Sequence, residues 1–179
     1  MSSILIVPVP PFDMRKVNAL VSPVQSTFGL SVHVNTSSTV DPSFAFDLYR
    51  NQYNSTSIIS ALIRQFEKHE GKVLGITSVD FFVPVLTYVF GEAQLDGPIA
   101  VVSSYRLDDT IYGLPDNPKL LEERLIKEVV HELGHTFGLI HCHDYRCVMH
   151  SSTAVEEIDV KSERFCPACE DQLRAKIEN

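Results

Sequence analysis

Three histidines and a glutamate stand close together in the stretch HELGHTFGLIH, which begins at His131 and ends at His141. On a helix, His131 and His135 lie four residues apart on one face, so both can reach a single metal ion. Gly138 tolerates a positive φ and can end that helix, so that the chain turns back and brings His141 as a third ligand. Three protein nitrogens leave a fourth coordination position open, which is the pattern of a catalytic rather than a structural zinc site.

Glu132 directly follows the first of these histidines, where its carboxylate can hold and deprotonate a water on the metal. The shorter pattern HExxH recurs by chance, and its alternative interpretation is a pair of surface histidines on an amphipathic helix. The full stretch fixes five positions, three of them histidine, so a chance match is improbable. The motif therefore favours a metal site.

All four cysteines of the chain follow the histidine motif, in two short-spaced pairs, CHDYRC and CPAC. They are Cys142, Cys147, Cys166 and Cys169. Two such pairs with a loop between them are typical of a structural tetrahedral zinc site. Two alternatives remain open: two disulfides, which need an oxidising compartment, or a thioredoxin-like redox pair in CPAC. The redox alternative leaves Cys142 and Cys147 unexplained, and zinc is favoured.

Cys142 comes directly after His141, so the two proposed metal sites are close neighbours. The second ion would hold in place the segment that carries the third histidine, a stabilising role in a loop with little core of its own.

Together, HELGHTFGLIHC, Cys147, Met149 and CPAC resemble the signature of the archaemetzincins, a family of small zinc metallopeptidases within the metzincins. A weaker similarity extends upstream through VLGITSVD, FVPVLTYVFGEA and IAVVSSYRL. The resemblance implies that His131, His135 and His141 bind catalytic zinc, with Glu132 as the general base. It also implies that the four cysteines hold a second zinc, which gives two ions per chain.

Met149 would be the methionine of the turn beneath the metal, a packing residue and not a ligand. Some metzincins carry a tyrosine two residues later as an extra ligand, and here that position is Ser151. The remaining histidines receive no role; His143 and His150 are expected to be loop residues near the site.

The resemblance further implies that an antiparallel edge strand lies above the active-site helix and binds an extended peptide through its main chain. The corresponding residues are Phe90, Gly91, Glu92 and Ala93. An edge strand offers unpaired N–H and C=O groups that suit a peptide whatever its side chains. The alternative is that Gly91 marks only a bulge and that the edge is covered.

These residues predict zinc-assisted hydrolysis of a peptide or protein substrate, by an aminopeptidase, a small-peptide hydrolase or an enzyme that cuts internally. The alternative is a catalytically weak or inactive zinc module that serves regulation or partner binding. A fourth protein ligand, such as His143, would favour that module.

The chain has 179 residues and a formal net charge of −8, which disfavours nucleic acid and anionic membranes as partners. No apolar run approaches the roughly 18 residues that cross a bilayer. The N-terminus lacks the features of a signal peptide, and no cysteine precedes the histidine motif to block the zinc. We expect a cytoplasmic protein with reduced thiolates, and a monomer is favoured.

The predicted fold class is α/β (α+β): a metzincin-like mixed twisted sheet with one antiparallel edge strand, an active-site helix, and a small irregular C-terminal subdomain held by zinc. We expect one domain over residues 1–179, divided by the cleft into an upper part, about 1–138, and a lower part, about 139–179.

Hydrophobic periodicity predicts the individual elements. Strands are expected over 3–9, 30–35, 72–77, 86–93 and 99–103, the last two forming a hairpin around Asp96-Gly97. Helices are expected over 13–28, from Ser55 or Thr56 to about Glu70, and from Asn117 to about Gly138. Residues 36–54 are expected to form a loop.

Overall fold

The computed structural model describes residues 3–37 and 39–178, which build two β-sheets and six α-helices. The eight strands are β1 Ser3–Pro8, β2 Ser31–Val34, β3 Phe46–Asp47, β4 Gln52–Asn54, β5 Gly71–Thr77, β6 Phe81–Phe82, β7 Gly91–Ala93 and β8 Ile99–Ser103. The six helices are α1 Met14–Ala19, α2 Val21–Phe28, α3 Ser55–Gln65, α4 Pro118–Thr136, α5 Val155–Val160 and α6 Pro167–Ile177.

The larger sheet has the strand order β2-β1-β5-β8-β7 and is parallel except for β7. Strand β5 lies at its centre and carries an almost wholly apolar sequence, as expected for a strand buried on both faces. The antiparallel strand β7 lies at one edge and pairs with β8. The mixed sheet and its antiparallel edge strand are therefore confirmed.

The smaller sheet was not predicted. Strands β3 and β4 form a short hairpin within residues 36–54, and β4 pairs in parallel with β6. The prediction of a plain loop here is wrong because the pairing partner of β4 lies at Phe81 and Phe82, beyond the reach of local periodicity.

The single helix predicted over 13–28 is divided at Leu20 into α1 and α2. Pro23 has no N–H, so the carbonyl of Ala19 loses its helical donor and the helix cannot continue unbroken. The second helix ends as expected at Gly29, whose φ is +69°.

Helix α3 begins and ends earlier than predicted. Asn54, and not Ser55 or Thr56, is the N-cap, and its side chain accepts a hydrogen bond from the backbone N–H of Ser57. The helix ends at Gln65 rather than near Glu70. Gly71 does not stop it but opens β5, where a φ of +151° and close packing on Ser3 exclude a side chain.

The strand predicted over 86–93 is shorter than expected. Only Gly91–Ala93 pairs with β8, and Val89 instead forms an antiparallel bridge to Phe81 of the small sheet. The hairpin turn around Asp96-Gly97 is confirmed, with Asp96 in the left-handed region at φ +55°.

Helix α4 carries the first two histidines of the motif and packs its apolar stripe against the larger sheet. Asn117 caps it by accepting from the N–H of Leu120, and Pro118 is its first residue, as predicted. The stripe of large apolar side chains at every fourth position is buried throughout: Leu121, Leu125, Val129, Leu133 and Phe137.

The C-terminal segment contains more regular structure than expected, since α5 and α6 both lie within it. Arg174 of α6 joins this segment to the end of α2, where its guanidinium donates to the carbonyls of Thr27 and Phe28. Among the helices of residues 3–37 and 39–178, none is long and apolar enough to cross a membrane.

Candidate active site

His131, His135 and His141 converge as predicted. One ring nitrogen from each lies within 4.8 Å of the others. The first two belong to successive turns of α4, and their Nε2 atoms are 3.1 Å apart. Three imidazoles that meet at one point can hold a metal ion.

The hydrogen bonds of the two helical imidazoles fix their tautomers. Nδ1 of His131 donates to the carbonyl of Val148 at 2.8 Å, and Nδ1 of His135 donates to that of Leu139 at 2.7 Å. Burial lowers the pKa of both rings, which favours the neutral form. Each Nε2 then carries a lone pair, and two lone pairs facing each other at 3.1 Å repel unless a cation lies between them. The donor set therefore fits a metal ion.

The chain reverses at Gly138 to deliver the third histidine. Gly138 has a φ of +86°, and the N–H of Leu139 bonds back to the carbonyl of Gly134. His141 is exposed at the mouth of the site. His143, the candidate fourth ligand, is also exposed and does not belong to the metal-binding group found within the described residues.

Met149 packs directly beneath α4, as the resemblance implies. A Cβ atom at Gly134 would lie 2.5 Å from its Sδ, so the glycine within the motif is needed for this contact. The Met149 side chain is fully buried. Ser151 is exposed and lines the adjoining cleft.

Glu132 is buried beside the imidazoles and faces the edge strand. Burial raises the pKa of its carboxyl well above the usual value, and the neighbouring Glu128 and Glu92 raise it further. A Cβ atom at Gly91 would lie 2.7 Å from its Cγ and 2.7 Å from the carbonyl oxygen of Val101. Gly91 therefore permits the close approach of β7 to the helix and does not mark a bulge, since β7 pairs with β8 in regular register.

Strand β7 offers main-chain groups to the cleft. The carbonyl of Phe90 and the N–H of Gln94 form hydrogen bonds with β8. Because main-chain groups alternate in direction along a strand, Gly91 and Ala93 point their N–H and C=O groups away from β8. The side chain of Glu92 points towards α3, where the hydroxyls of Ser55 and Thr56 donate to its carboxylate. This tether fixes the edge strand against α3.

Two neighbouring depressions flank the histidines along this edge. The first has a volume of about 350 Å³ and is lined by residues 86–91, Glu128, His131, Glu132, His141 and residues 151–153. The second, of about 390 Å³, is lined by residues 91–93, Leu95, His131, Glu132, His135, Ile140 and His141. We refer to them as the Glu128 pocket and the Leu95 pocket.

The four cysteines form a second cluster, with all sulfur atoms within 4.8 Å of one another. They are free thiols, and the Sγ atoms of Cys142 and Cys166 are 3.8 Å apart, too far for a disulfide. The backbone N–H of Cys166 donates to Sγ of Cys147 at 3.2 Å. The arrangement can hold a tetrahedral metal ion and uses all four residues, whereas a redox pair would use two.

This cluster is joined to the histidine site by short hydrogen bonds. The N–H of Cys142 donates to the carbonyl of Met149 at 2.9 Å, and Nδ1 of His150 donates to the carbonyl of Cys142 at 2.8 Å. The segment that carries His141 is thus fixed from the cysteine side.

Sequence reasoning missed a buried ion pair in the Glu128 pocket. Glu128 precedes Glu132 by four residues, a spacing that could have placed it on the same face of α4. Its partner Lys161 lies 33 positions further along the chain, and nothing local in the sequence indicates the contact.

The chain resembles known proteins in both sequence and structure. The model of Peptidase family M54 matches residues 15–175. An archaemetzincin of Methanocaldococcus jannaschii is 43% identical over 133 residues, covering 74% of this chain and 72% of that protein. Among solved structures, archaemetzincin from Methanopyrus kandleri has a TM-score of 0.86 at 35% identity, covering 99% of this chain and 96% of its own.

A zinc-dependent peptidase from Methanocorpusculum labreanum has a TM-score of 0.85 at 25% identity, covering 96% of this chain and 100% of its own. The family match spans most of the chain. The chain belongs to peptidase family M54, the archaemetzincins.

Proposed function

We propose that this protein is a zinc-dependent peptidase in which His131, His135 and His141 hold the catalytic ion and Glu132 is the general base. The observation that carries the proposal is the pair of facing Nε2 atoms, 3.1 Å apart, beside a buried carboxylate at the edge of a cleft. Within the described residues the histidine group contains no fourth protein ligand, which favours an enzyme over a closed zinc module.

When bound here, zinc supplies Lewis acidity that lowers the pKa of water and polarises the scissile carbonyl. Residues of the chain orient the metal ligands and transfer the proton. Nδ1–H of His131 and of His135 hold the imidazoles in orientation through their carbonyl partners. A carboxylate oxygen of Glu132 takes the proton of the attacking water and then delivers it to the leaving amine.

We further propose that the four cysteines bind a second, structural zinc, which gives two ions per chain. The cluster packs where the segment 139–150 turns back, and Cys142 is adjacent to His141. This ion would stabilise the third ligand and take no part in the chemistry.

Strand β7 is the proposed binding edge for an extended peptide, through the outward main-chain groups of Gly91 and Ala93. Replacing Gly91 by alanine should lower kcat/KM by about tenfold or more, since the added methyl would displace Glu132 or the strand by the clash described above. Steady-state kinetics and zinc content check this. An alanine variant with wild-type kcat/KM would contradict the close approach.

The proposed function is tested with a peptide library and the protein reconstituted with zinc. We expect cleavage of some peptides, loss of cleavage after treatment with a chelator, and recovery on adding zinc back. Pairs of peptides with free and acetylated N-termini distinguish an aminopeptidase from an enzyme that cuts internally. A fully zinc-loaded protein that cleaves no peptide would contradict the proposal.

A further inference from the structure

Glu128, which lines the Glu128 pocket, belongs to a buried ion pair. Nζ of Lys161 donates to Oε1 of Glu128 at 3.0 Å and to the carbonyl of His150 at 3.1 Å. The relative exposure of Glu128 is 3% and that of Lys161 is 2%. Charged side chains are almost never buried this deeply unless they are paired, and this pair meets that condition.

One carboxylate oxygen of Glu128 is available to a ligand. Oε1 of Glu128 accepts from Lys161, whereas Oε2 has no hydrogen-bond partner among the described residues. Glu128 lines the pocket one helical turn from Glu132, on the same face of α4. A buried carboxylate oxygen is an acceptor only, so the group that complements it is a hydrogen-bond donor.

Charge balance determines which donor fits. Lys161 already neutralises Glu128, so a lysine or arginine of the substrate would place a second positive charge beside the ammonium group of Lys161. A carboxylate would meet both Glu128 and Glu132. An uncharged donor leaves the pair balanced and satisfies Oε2. The walls contributed by Val89 and Phe90 suit an apolar stem.

The direction of the peptide places one substrate residue at this pocket. Antiparallel pairing is the more stable mode of strand addition. A peptide antiparallel to β7 runs from Ala93 towards Gly91, that is, from the Leu95 pocket to the Glu128 pocket. The bond to be cleaved lies at the histidines, between the two pockets. The residue that follows this bond therefore faces Glu128.

We propose that Glu128 is a specificity-determining residue, and that it selects substrates whose residue after the cleaved bond is uncharged, carries a hydrogen-bond donor and has about the size of glutamine. This inference rests on the proposed peptidase function. Beyond that function, it specifies which class of substrate side chain is preferred. It also assigns a role to an ion pair that the hydrolytic step does not use.

The first test compares four peptides that differ only at that position, which carries glutamine, methionine, lysine or glutamate. Methionine matches glutamine in length but has no donor. We expect kcat/KM for glutamine to exceed that for methionine by about 10- to 100-fold, and lysine and glutamate to be poorer than glutamine. The Glu132→Gln variant, titrated with the same peptides, should give the same order of dissociation constants while cleaving them far more slowly.

The second test replaces the ion pair. The double variant Glu128→Met with Lys161→Met substitutes apolar side chains of similar length, a change that buried ion pairs often tolerate. The ratio of kcat/KM for glutamine over methionine should fall to about one or below, because the acceptor is gone. Damage to the fold would lower both values and leave the ratio unchanged. Glu122→Met, at an exposed position of the same helix, is the matched control and should keep the wild-type ratio.

Three outcomes would overturn the inference: no preference for glutamine in the wild-type protein, a preference for lysine, or a wild-type ratio in a folded double variant. Each is distinct from failure of the proposed function, in which the zinc-loaded protein cleaves none of the peptides. In that event the dissociation constants measured with Glu132→Gln still decide whether the pocket discriminates.

Discussion

Replacing Glu132 by glutamine is expected to lower kcat/KM by about 10³- to 10⁴-fold, at the upper end of what a general base contributes. The amide keeps the shape of the side chain but cannot take a proton from water. Zinc content should stay at the wild-type value, since the metal ligands are the histidines. Stability should stay close to the wild-type value, because glutamine fills the same buried space.

The matched control for this experiment is Glu122→Gln, which removes a carboxylate from an exposed position of the same helix. Kinetics with the best library peptide, zinc analysis and thermal unfolding should be measured on both variants in parallel. A Glu132→Gln variant that cleaves the peptide at the wild-type rate would disprove the assignment of the general base.

The second large effect is expected from Cys169→Ser, which removes one ligand of the proposed structural zinc. We expect the zinc content to fall from two ions per chain to one or fewer, and the free energy of unfolding to fall by more than about 4 kcal/mol, as is typical when a metal site is lost. Activity should fall as well, because the cysteine cluster fixes the segment that carries His141.

The same substitution at Cys142 should give the same loss of zinc, since each cysteine supplies one sulfur to the same ion. Titration of thiols before and after zinc removal checks the alternative of disulfides, with four reactive thiols expected after removal. A Cys169→Ser variant that keeps two ions and wild-type stability would rule out the second site.

Much of α4 and its site could be predicted because the signals are local. The four-residue stripe, the Asn117 cap and the turn at Gly138 each act within one or two helical turns, and the histidines depend on them. Strands β5 and β8 were predictable for the same reason, as short apolar runs with clear ends.

The errors arose where distant residues decide the structure. The pairing of β4 with β6 and the bridge from Val89 to Phe81 join segments that periodicity treats separately. The contact between Lys161 and Glu128 is of the same kind, so the ion pair could not be predicted before the fold was known. The break at Leu20 is an exception, because Pro23 signals it locally.

The most direct test of the central claim is a crystal structure of the zinc-loaded protein, with anomalous scattering recorded at the zinc edge. We predict one ion about 2.0–2.1 Å from a ring nitrogen of each of His131, His135 and His141, with no fourth protein ligand. A second ion should lie among the four cysteine sulfurs. Imidazoles that point apart with the ion bound elsewhere, or a fourth protein side chain closing the histidine site, would contradict the account.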